Sequence, residues 1–312
     1  MISVAICTYN GEKFVNRQLE SIANQTLPVD EIVICDDKST DSTVQIVETF
    51  ASKHSNIDVR LIVNDRNIGV RMNFEKALNL CKGDIKFLSD QDDIWLPNKV
   101  EIFNEYFIKH PDKSVVFSNA SLIDNDNKPC SRFTLFESLG LNEEGLKLCE
   151  EGYYLNIFIT GGRAWGATMA IRKGVVCNFN YPTQMYHDYI LAIEAILNNS
   201  LGYIAKPLMK YRIHSNQKVG VGNAYLDPPS INIYDLGHGN FEGYPCPAAI
   251  QNEIDMRDMR YNFFTLGLRG IAKIILNYRK YKKNYKSDWK DFIKVDIDRI
   301  VSKYQTTHFI KK

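Results

Sequence analysis

Short apolar runs and longer amphipathic segments alternate along the first 120 residues, and this alternation restricts the fold more than any other feature. Five runs are rich in branched apolar residues, which is typical of buried strands: ISVAICT (2–8), EIVICDD (31–37), VRLIVND (59–65), DIKFLSD (84–90) and SVVFSNASLID (114–124). Between them, apolar residues recur at helical spacing, as Phe14, Leu19 and Ile22 do in the first of these segments. This alternation predicts an α/β fold with a mostly parallel central sheet and helices on both faces.

The pattern loosens after Asp124, where fewer regular elements are predicted. The expected elements are a turn at 124–129, a short helix-rich insertion at 137–152, a strand within 161–176, a helix at 186–202 and a final strand pair at 203–214. Residues 223–249 hold many Pro, Gly and Asn, which predicts a loop or linker. Residues 250–312 are predicted to form a basic helical C-terminal extension, so the α/β domain should occupy residues 1–222.

Charge and cysteine content exclude several classes of protein. Lys and Arg number 38 against 37 Asp and Glu, a net charge of +1, so no global bias points to nucleic acid. The seven cysteines include no C-x-x-C pair, which argues against a disulfide framework or zinc site and fits a reducing compartment. The opening segment MISVAICTYN has no basic n-region, and no run of about 18 apolar residues occurs. We therefore expect a cytoplasmic protein without a secretory signal or transmembrane helix.

Positive charge is concentrated near the C-terminal end of the sequence. Twelve Lys or Arg and four Asp or Glu lie between Lys273 and Lys312, interleaved with apolar residues. An interfacial helix at the inner face of the cell membrane would present such a pattern to anionic lipid. A solvated helix that packs on the α/β domain, or that forms a homodimer interface, accounts for the same pattern.

Acidic and amide side chains directly follow four of the predicted strands. They are Asn10 after the first strand, Asp36 and Asp37 after the second, Asn64 and Asp65 after the third, and Asp90, Asp92 and Asp93 after the fourth. Ligands of open α/β sheets bind beyond the carboxyl ends of the strands, and crowded carboxylates raise one another's pKa unless a positive charge compensates them. Mg²⁺ or Mn²⁺ is the natural partner for such oxygen ligands. A single Asp in this position is more commonly a turn or capping residue, but capping explains the three acids at 90–93 poorly.

Two common phosphate-binding loops are absent from the sequence. The first strand–helix turn reads CTYNGEKF rather than G-x-G-x-x-G, which disfavours dinucleotide binding. No Walker A loop is found either. A phosphate at this edge of the sheet is therefore expected to be held through a metal ion rather than by a glycine-rich loop.

Four segments, in this order and spacing, resemble glycosyltransferase family 2, whose members have the GT-A fold. They are VAICTYNGEKFVNRQLESIANQT (4–26), IVICDDKSTDST (32–43), NIGVRMNFEKAL (67–78) and FLSDQDDIW (87–95), with weaker likeness in ITGGRAWGATMAI (159–171), YHDYILAI (186–193) and YRIHSNQ (211–217). The SDQDDIW and HD…YR-x-H details are most similar to the bacterial rhamnosyltransferase-like branch, which builds cell-surface polysaccharides. The resemblance implies a Rossmann-like GT-A domain at 1–222, in which residues 1–120 bind the nucleotide sugar and 121–222 bind the acceptor.

The activity that this resemblance implies is metal-dependent, inverting sugar transfer. The sugar, rhamnose in this branch, would move from a UDP- or dTDP-linked donor to a hydroxyl of a growing cell-surface polysaccharide or a lipid-linked oligosaccharide. The alternative is a catalytically silent nucleotide-sugar-binding subunit of a polysaccharide assembly complex, against which the intact aspartate cluster argues. A sugar-1-phosphate nucleotidyltransferase would need a glycine-rich, basic loop after the first strand, where this chain has TYNGEKF.

The resemblance also implies roles for individual residues. The nucleotide-sugar-binding residues are Thr8, Tyr9, Asn10, Glu12, Asp37, Asp65, Arg71 and Asp90; the metal ligands are Asp92, Asp90 and His214; the catalytic base is Asp188; the acceptor-binding residues are Trp95, Gly161, Gly162 and His187. Asp36 is expected to hold backbone instead of the nucleotide. The metal itself would be Mg²⁺ or Mn²⁺.

Three acidic or imidazole side chains near the predicted site, Asp188, His187 and Asp93, each have a second interpretation. A single displacement needs one general base, and Asp188 matches the family's base, although Asp at a helix start is also a frequent N-cap. His187 could orient Asp188 or be buried packing. Asp93 could orient the metal site or cap the helix that begins near Pro97.

Aromatic and basic residues near the predicted site are similarly ambiguous. Trp95 and Trp165 could stack on sugars, but core packing explains either of them equally well. His214 follows the last predicted strand and is either a ligand or an ordinary packed side chain. Arg212 and Lys218 are further candidates for neutralising phosphate.

Overall fold

The computed structural model describes residues 1–139, 141–150, 154, 158, 164–179 and 186–214. Regular elements alternate as the sequence predicts as far as the fourth strand, which is followed by a short strand (Ile94–Trp95) that the sequence does not predict. They are β1 (Ile2–Thr8), α1 (Val15–Ala23), β2 (Glu31–Asp36), α2 (Thr43–Lys53), β3 (Asp58–Val63), α3 (Val70–Leu80), β4 (Ile85–Ser89), β5 (Ile94–Trp95), α4 (Lys99–Lys109), β6 (Val115–Ile123), α5 (Leu135–Ser138), α6 (Glu143–Leu148), a 3₁₀ turn (Gly166–Thr168), β7 (Met169–Arg172), α7 (His187–Leu197) and β8 (Leu201–Arg212).

The described residues divide between two compact units. Residues up to 144, together with 164–179 and 186–214, belong to the first unit, and 145–150, 154 and 158 belong to the second. The predicted linker at 223–249 and the predicted basic region at 250–312 lie outside the described residues.

Eight strands form one sheet in the order β3-β2-β1-β4-β7-β6-β8-β5. β1 pairs in parallel with β2 and β4, β2 pairs in parallel with β3, and β6 pairs in parallel with β8. β7 runs antiparallel to both β4 and β6, and β5 runs antiparallel to β8. All six residues of β2 are buried, as expected where both faces of a parallel sheet are covered. The predicted α/β class with a mostly parallel sheet is confirmed.

The second part of the sheet differs from the simple alternation. β6, the fifth predicted strand, does not pair with β4, because β7 from much later in the chain lies between them. The predicted final strand pair is a single strand, β8, whose pairing with β6 is interrupted by register shifts on both sides of Asn119. Such irregularities bend a strand locally, and they allow β8 to accompany β6 as far as Arg212.

Core packing fixes the position of α1 and joins β4, β5 and α4. α1 buries Val15, Leu19 and Ile22, the apolar stripe of an amphipathic helix. In the core, the Phe87 ring lies 5.4 Å from that of Trp95 and 5.2 Å from that of Phe103. These contacts hold β4, β5 and α4 together, and the ends of β4 and β5 flank the aspartates at 90–93.

A buried ion pair closes the other end of β2, away from the strand ends that carry the aspartates. Glu31 is fully buried, and its carboxylate accepts hydrogen bonds from the Ser3 hydroxyl, the Lys82 N–H and the Arg60 guanidinium. Burial alone would raise the pKa of Glu31, but these donors outweigh it and the pKa is lowered.

We expect Glu31→Gln to lower the free energy of unfolding by about 3 kcal/mol, because it leaves Arg60 without its buried partner. Urea unfolding at pH 7 measures this change. Since the folded-state pKa is lowered, the stabilisation is present above the unfolded pKa and is lost as the pH falls through the folded one. The difference from wild type should therefore shrink below about pH 4. Glu105→Gln, which removes the exposed partner of Lys109, is the control with no measurable effect. Equal stability of the two variants would contradict the prediction.

Candidate active site

A cavity of about 500 Å³ opens beyond the carboxyl ends of β1, β2 and β4. Its lining comes from loops that are far apart in the sequence. It includes Cys7, Thr8, Tyr9, Asn10, Gly11, Lys13, Phe14, Asp37, Val70, Asn73, Asp90, Gln91, Asp92, Asn125, Trp165, Gly166, Tyr186, His187, Asp188, Tyr211 and His214. This volume is within the usual range for small-molecule sites. The cavity is also the place where ligands of open α/β sheets bind.

Carboxylates crowd one side of this cavity. The pKa of Asp90 is raised to about 8 by burial, and then by the negative charges of Asp92 and Asp188, while Lys99 opposes the shift. A carboxylate with this pKa lacks adequate positive compensation within the protein. The site therefore has the electrostatic character of one that receives a cation.

Asp92 and His214 are two potential metal ligands in direct contact. Asp92 Oδ2 lies 2.8 Å from His214 Nε2, and the two side chains are 15% and 12% exposed. Among the residues that the structure describes, no three His, Cys, Asp or Glu side chains form a ready-made metal cluster. A Mg²⁺ site rarely needs one, since one or two carboxylates and the substrate's phosphates commonly complete the coordination together with water. Asp90 and Asp92, which line the same cavity, can supply such carboxylates, and His214 lies next to Asp92.

Asp93 has a different role from its neighbours. It is 1% exposed, and its Oδ1 accepts the Arg212 N–H at 2.9 Å. Burial, followed by the charges of Asp92 and Asp90, raises its pKa well above the usual value. The helix-capping alternative is wrong, because α4 begins after Asn98. Asp93 instead connects residues 90–93, called here the acidic loop, to the end of β8.

Two buried cations support the acidic loop, and sequence reasoning gave neither of them this role. Lys99 is fully buried and its Nζ donates to the Ala167 carbonyl at 3.0 Å; burial lowers its pKa to about 7, although Asp93 and Asp90 oppose this. The guanidinium of Arg212 donates to the carbonyls of Asp92 and Asp124, each at 2.6 Å. Arg212 is one of two candidates for neutralising phosphate, and in the structure it joins two backbone segments; the other, Lys218, lies outside the described residues. A lysine in the first turn of an amphipathic helix is normally solvent-exposed, so the sequence does not identify Lys99 as a buried cation.

The loop after β1 is held by side chains of the next crossover. Asn10 has a positive φ of 48°, which Asn tolerates better than most residues; its N–H donates to Ser39 Oγ and its Oδ1 accepts the Thr40 N–H, both at 2.8 Å. The Asp36 carboxylate accepts the Thr8 hydroxyl at 2.7 Å and the Ser39 N–H at 2.7 Å. Asp36 thus has the backbone-holding position expected of it.

Asp37 lines the cavity and also orders the loop that precedes α3. Its carboxylate accepts the N–H groups of Ile68 and Gly69 at 2.7 and 2.8 Å, and the Asn64 amide at 3.0 Å. It is 4% exposed. Asp37 can therefore present only a small part of its carboxylate to a ligand.

Three residues expected to bind the nucleotide sugar are not part of the described cavity lining: Glu12, Asp65 and Arg71. Glu12 accepts the Ser42 N–H at 3.0 Å and so supports the start of α2. Asp65 is exposed, and its carbonyl accepts the Lys38 ammonium at 2.8 Å. Gly161 and Gly162 lie outside the described residues.

Asp188 lines the same cavity as Asp90 and Asp92, and its charge contributes to the raised pKa of Asp90. It is the second residue of α7, whose N-cap position is Tyr186, so the N-cap interpretation is wrong. Its Oδ2 accepts the Gly166 N–H at 3.0 Å. This bond connects α7 to the 3₁₀ turn, in which the Ala167 carbonyl accepts a hydrogen bond from the Lys99 ammonium.

His187 lies beside Asp188 and is 5% exposed. Its ring stacks on Phe74 with a centroid distance of 4.1 Å. Neither ring nitrogen has a hydrogen-bond partner among the described residues. Burial lowers the pKa of His187, although Asp188 opposes this, so a neutral imidazole is favoured at neutral pH.

The two tryptophans differ in exposure to the cavity. Trp95 is 3% exposed and packs in the core under the Lys99 ammonium, 4.2 Å from its ring centroid. The packing interpretation therefore describes Trp95 better than sugar stacking does. Trp165 lines the cavity and meets the Tyr211 ring edge-on at 5.4 Å. Trp165 is the better placed of the two to meet a ligand.

No helix in the described part of the chain is long and apolar enough to cross a membrane.

Residues 3–176 match the family model described as Glycosyl transferase family 2. The dTDP-rhamnosyl transferase RfbG of Shigella flexneri is 30% identical over 236 residues, which are 70% of this chain and 75% of that protein. An uncharacterised protein of Mycobacterium tuberculosis strain H37Rv is 33% identical over 135 residues, 42% of this chain and 38% of that protein. The chain thus spans about two fifths of the length of this mycobacterial relative.

The crystal structure of S. aureus TarS 1–349 in complex with UDP-GlcNAc has a TM-score of 0.54 and 18% sequence identity to this chain. It covers 85% of this chain and 71% of the TarS chain. At this identity the likeness shows the fold alone, and it confirms the GT-A type that the sequence predicts.

Proposed function

Because the chain belongs to glycosyl transferase family 2, we propose that it transfers a sugar from a nucleoside diphosphate donor to an acceptor hydroxyl, with inversion at the anomeric carbon. The observation that carries the proposal is the cavity that Asp90 and Asp92, after β4, share with Asp188 at the start of α7. A crowded acidic site suits a metal-bound diphosphate, and a further carboxylate in the same cavity suits the proton of an acceptor.

The donor lies at the β1, β2 and β4 side of the cavity in this proposal. Thr8, Tyr9, Asn10 and Asp37 line this cavity and would surround the nucleoside. Asp90, Asp92 and His214 would hold Mg²⁺ or Mn²⁺ through carboxylate oxygens and an imidazole nitrogen. When bound, the cation stabilises the negative charge that the departing nucleoside diphosphate gains.

Asp188 acts as the general base in this cavity. The Gly166 N–H holds Oδ2 at 3.0 Å and so fixes the orientation of the carboxylate. The acceptor oxygen forms a bond to the anomeric carbon as the bond to the diphosphate oxygen breaks, and the acceptor proton passes to Asp188. One base is sufficient because a single displacement forms no glycosyl–enzyme intermediate.

The acceptor is proposed to enter beside Trp165, Gly166 and His187. A neutral, unpartnered imidazole can either donate or accept a hydrogen bond, and sugar hydroxyls supply both kinds of group. The name of the Shigella flexneri relative supports a rhamnosyl donor linked to dTDP. The acceptor class proposed is a growing polysaccharide or a lipid-linked oligosaccharide.

A panel of UDP-, dTDP- and GDP-linked sugars tests the proposal. We expect one donor class to release its nucleotide in the presence of Mg²⁺ or Mn²⁺ and a saccharide acceptor, and EDTA to abolish the release. NMR of the product should show the anomeric configuration opposite to that of the donor. Failure to bind any nucleotide sugar would contradict the proposal. Binding without turnover across all acceptors would favour a silent binding subunit instead.

A further inference from the structure

Gln91 lies between the two aspartates assigned to the metal, and its side chain is turned away from them. The Gln91 Nε2 donates to the Tyr9 carbonyl at 3.1 Å, and the Tyr9 N–H donates to Gln91 Oε1 at 2.9 Å. These two bonds run in opposite directions, so they need a side chain with one donor and one acceptor in a fixed plane. An amide has this property, whereas a carboxylate has no donor.

The loop that receives Gln91 is shaped to admit it. A Cβ atom added to Gly11 would lie 2.1 Å from Gln91 Oε1 and 2.4 Å from its Cδ, so the amide occupies the space that a side chain would need. Gly11 is itself fixed, because its N–H donates to Thr43 Oγ1 at 2.8 Å and its carbonyl accepts the Phe14 and Val15 N–H groups at 3.0 Å. The Gln91 amide therefore rests on a loop that is anchored to α1 and α2.

This contact joins two loops with different proposed tasks. β1 and β4 are adjacent parallel strands; the loop after β1 carries Tyr9 and Asn10, and the loop after β4 carries Asp90 and Asp92. All four residues line the cavity. A displacement of either loop must break or move the amide pair.

We propose that Gln91 is a positioning residue that couples nucleoside binding to divalent cation binding. Ordering of the Tyr9 loop by the nucleoside orients the Asp90–Asp92 backbone for the cation, and the cation orients the nucleoside loop in return. Such coupling is reciprocal by thermodynamic linkage. The inference rests on the proposed function, since it requires that both ligands occupy this cavity.

Isothermal titration calorimetry of UDP and dTDP, each with and without saturating Mn²⁺, tests the coupling. The ratio of the two dissociation constants for a nucleotide is its coupling factor. In Gln91→Ala we expect this factor to fall about tenfold, within the usual range of coupling between sites, while metal-free nucleotide affinity changes less than about threefold. Gln91→Glu, which keeps an acceptor and loses the donor, should lose coupling as well. Gly11→Ala attacks the same contact from the other loop and should reproduce the loss if the Gln91 variants are poorly folded.

Gln25→Ala is the matched control. The Gln25 amide also joins separate segments, donating to the Ser21 and Leu96 carbonyls at 3.0 and 2.9 Å and accepting the Val100 N–H at 3.0 Å. It does not line the described cavity, so its loss should lower the unfolding midpoint without changing the coupling factor. Wild-type coupling in folded Gln91→Ala or Gly11→Ala would overturn the role of Gln91 alone. A wild-type protein that binds none of UDP, dTDP and GDP would overturn the proposed function together with it.

Discussion

Replacing Asp188 with asparagine is expected to reduce the rate of sugar transfer by about a thousandfold, within the range that general-base catalysis contributes. The asparagine side chain keeps an oxygen that can accept the Gly166 N–H, now held at 3.0 Å by Asp188 Oδ2. It loses the second acceptor, Oδ1, which takes the N–H of the adjacent Tyr189 at 2.7 Å. The link between α7 and the 3₁₀ turn should therefore remain. What is lost is the capacity to take the acceptor proton.

Donor binding separates this prediction from a general loss of structure. Asp188 lies in α7 and belongs to none of the strand-end loops assigned to the nucleotide. We expect the dissociation constant of the nucleotide, measured with Mn²⁺ present, to stay within about threefold of wild type, since the variant removes an interaction needed mainly in the transition state. Asp112→Asn is the control for loss of one exposed carboxylate and should transfer at the wild-type rate. Transfer by Asp188→Asn at a near-normal rate would show that another group is the base.

His187, which precedes Asp188 and also lines the cavity, is titratable as well. Its surroundings make it a poorer candidate for the general base. A base must become charged when it takes a proton, and burial against Phe74 lowers the pKa of this imidazole. Taking the acceptor proton would place a cation in an apolar pocket with only Asp188 to oppose the cost. A neutral His187 that hydrogen-bonds to the acceptor avoids that cost.

The parts of the fold that the sequence predicts correctly are those fixed by local pattern. Alternating periods locate β1, β2, β3 and β4, and the Asp, Asn and Gln that follow them meet at one edge because parallel strands share a direction. The position of β7 between β4 and β6 depends on pairing between distant segments, and local periodicity carries no information on such pairing. The same applies to β8, which the sequence predicts as two strands. In the structure it is one strand that pairs with both β6 and β5 and changes register along β6.

The candidate site shows a similar division. Asp90, Asp92, Asp188 and His214 were selected by their match to a family, and the structure brings all four to one cavity. The role of Lys99 was missed because a lysine is normally placed in solvent when its helix is amphipathic. Only the three-dimensional packing shows that its ammonium is buried on Trp95, where the same packing removes Trp95 from contact with a ligand.

Asp92→Asn is expected to weaken metal-dependent binding of the donor by at least about a hundredfold, because a neutral amide replaces a charged oxygen ligand of a hard cation. Calorimetry with UDP or dTDP at saturating Mn²⁺ would show this loss, and the same titration without metal should change little. Asp112→Asn again serves as the control for net charge. Retention of metal-dependent binding by Asp92→Asn would exclude Asp92 as a ligand.

The pH dependence of the metal-free protein offers a second, independent measure of the same prediction. Because the folded-state pKa of Asp90 is raised to about 8, the native state keeps a proton that the unfolded chain releases near pH 4. Stability should thus fall as the pH rises from about 4 to 8, by up to about 1.4 kcal/mol per pH unit for this proton. Saturating Mn²⁺ should remove that slope, since the cation takes the place of the proton.

The slope should also be smaller in metal-free Asp92→Asn, because the charge of Asp92 is the second largest cause of the raised pKa of Asp90, after burial. Thermal unfolding at intervals between pH 5 and pH 8, with and without Mn²⁺, compares the two proteins. A variant that loses metal-dependent donor binding but keeps the full wild-type slope would show that Asp92 and Asp90 do not share one electrostatic site. The two aspartates could then not hold a single cation between them.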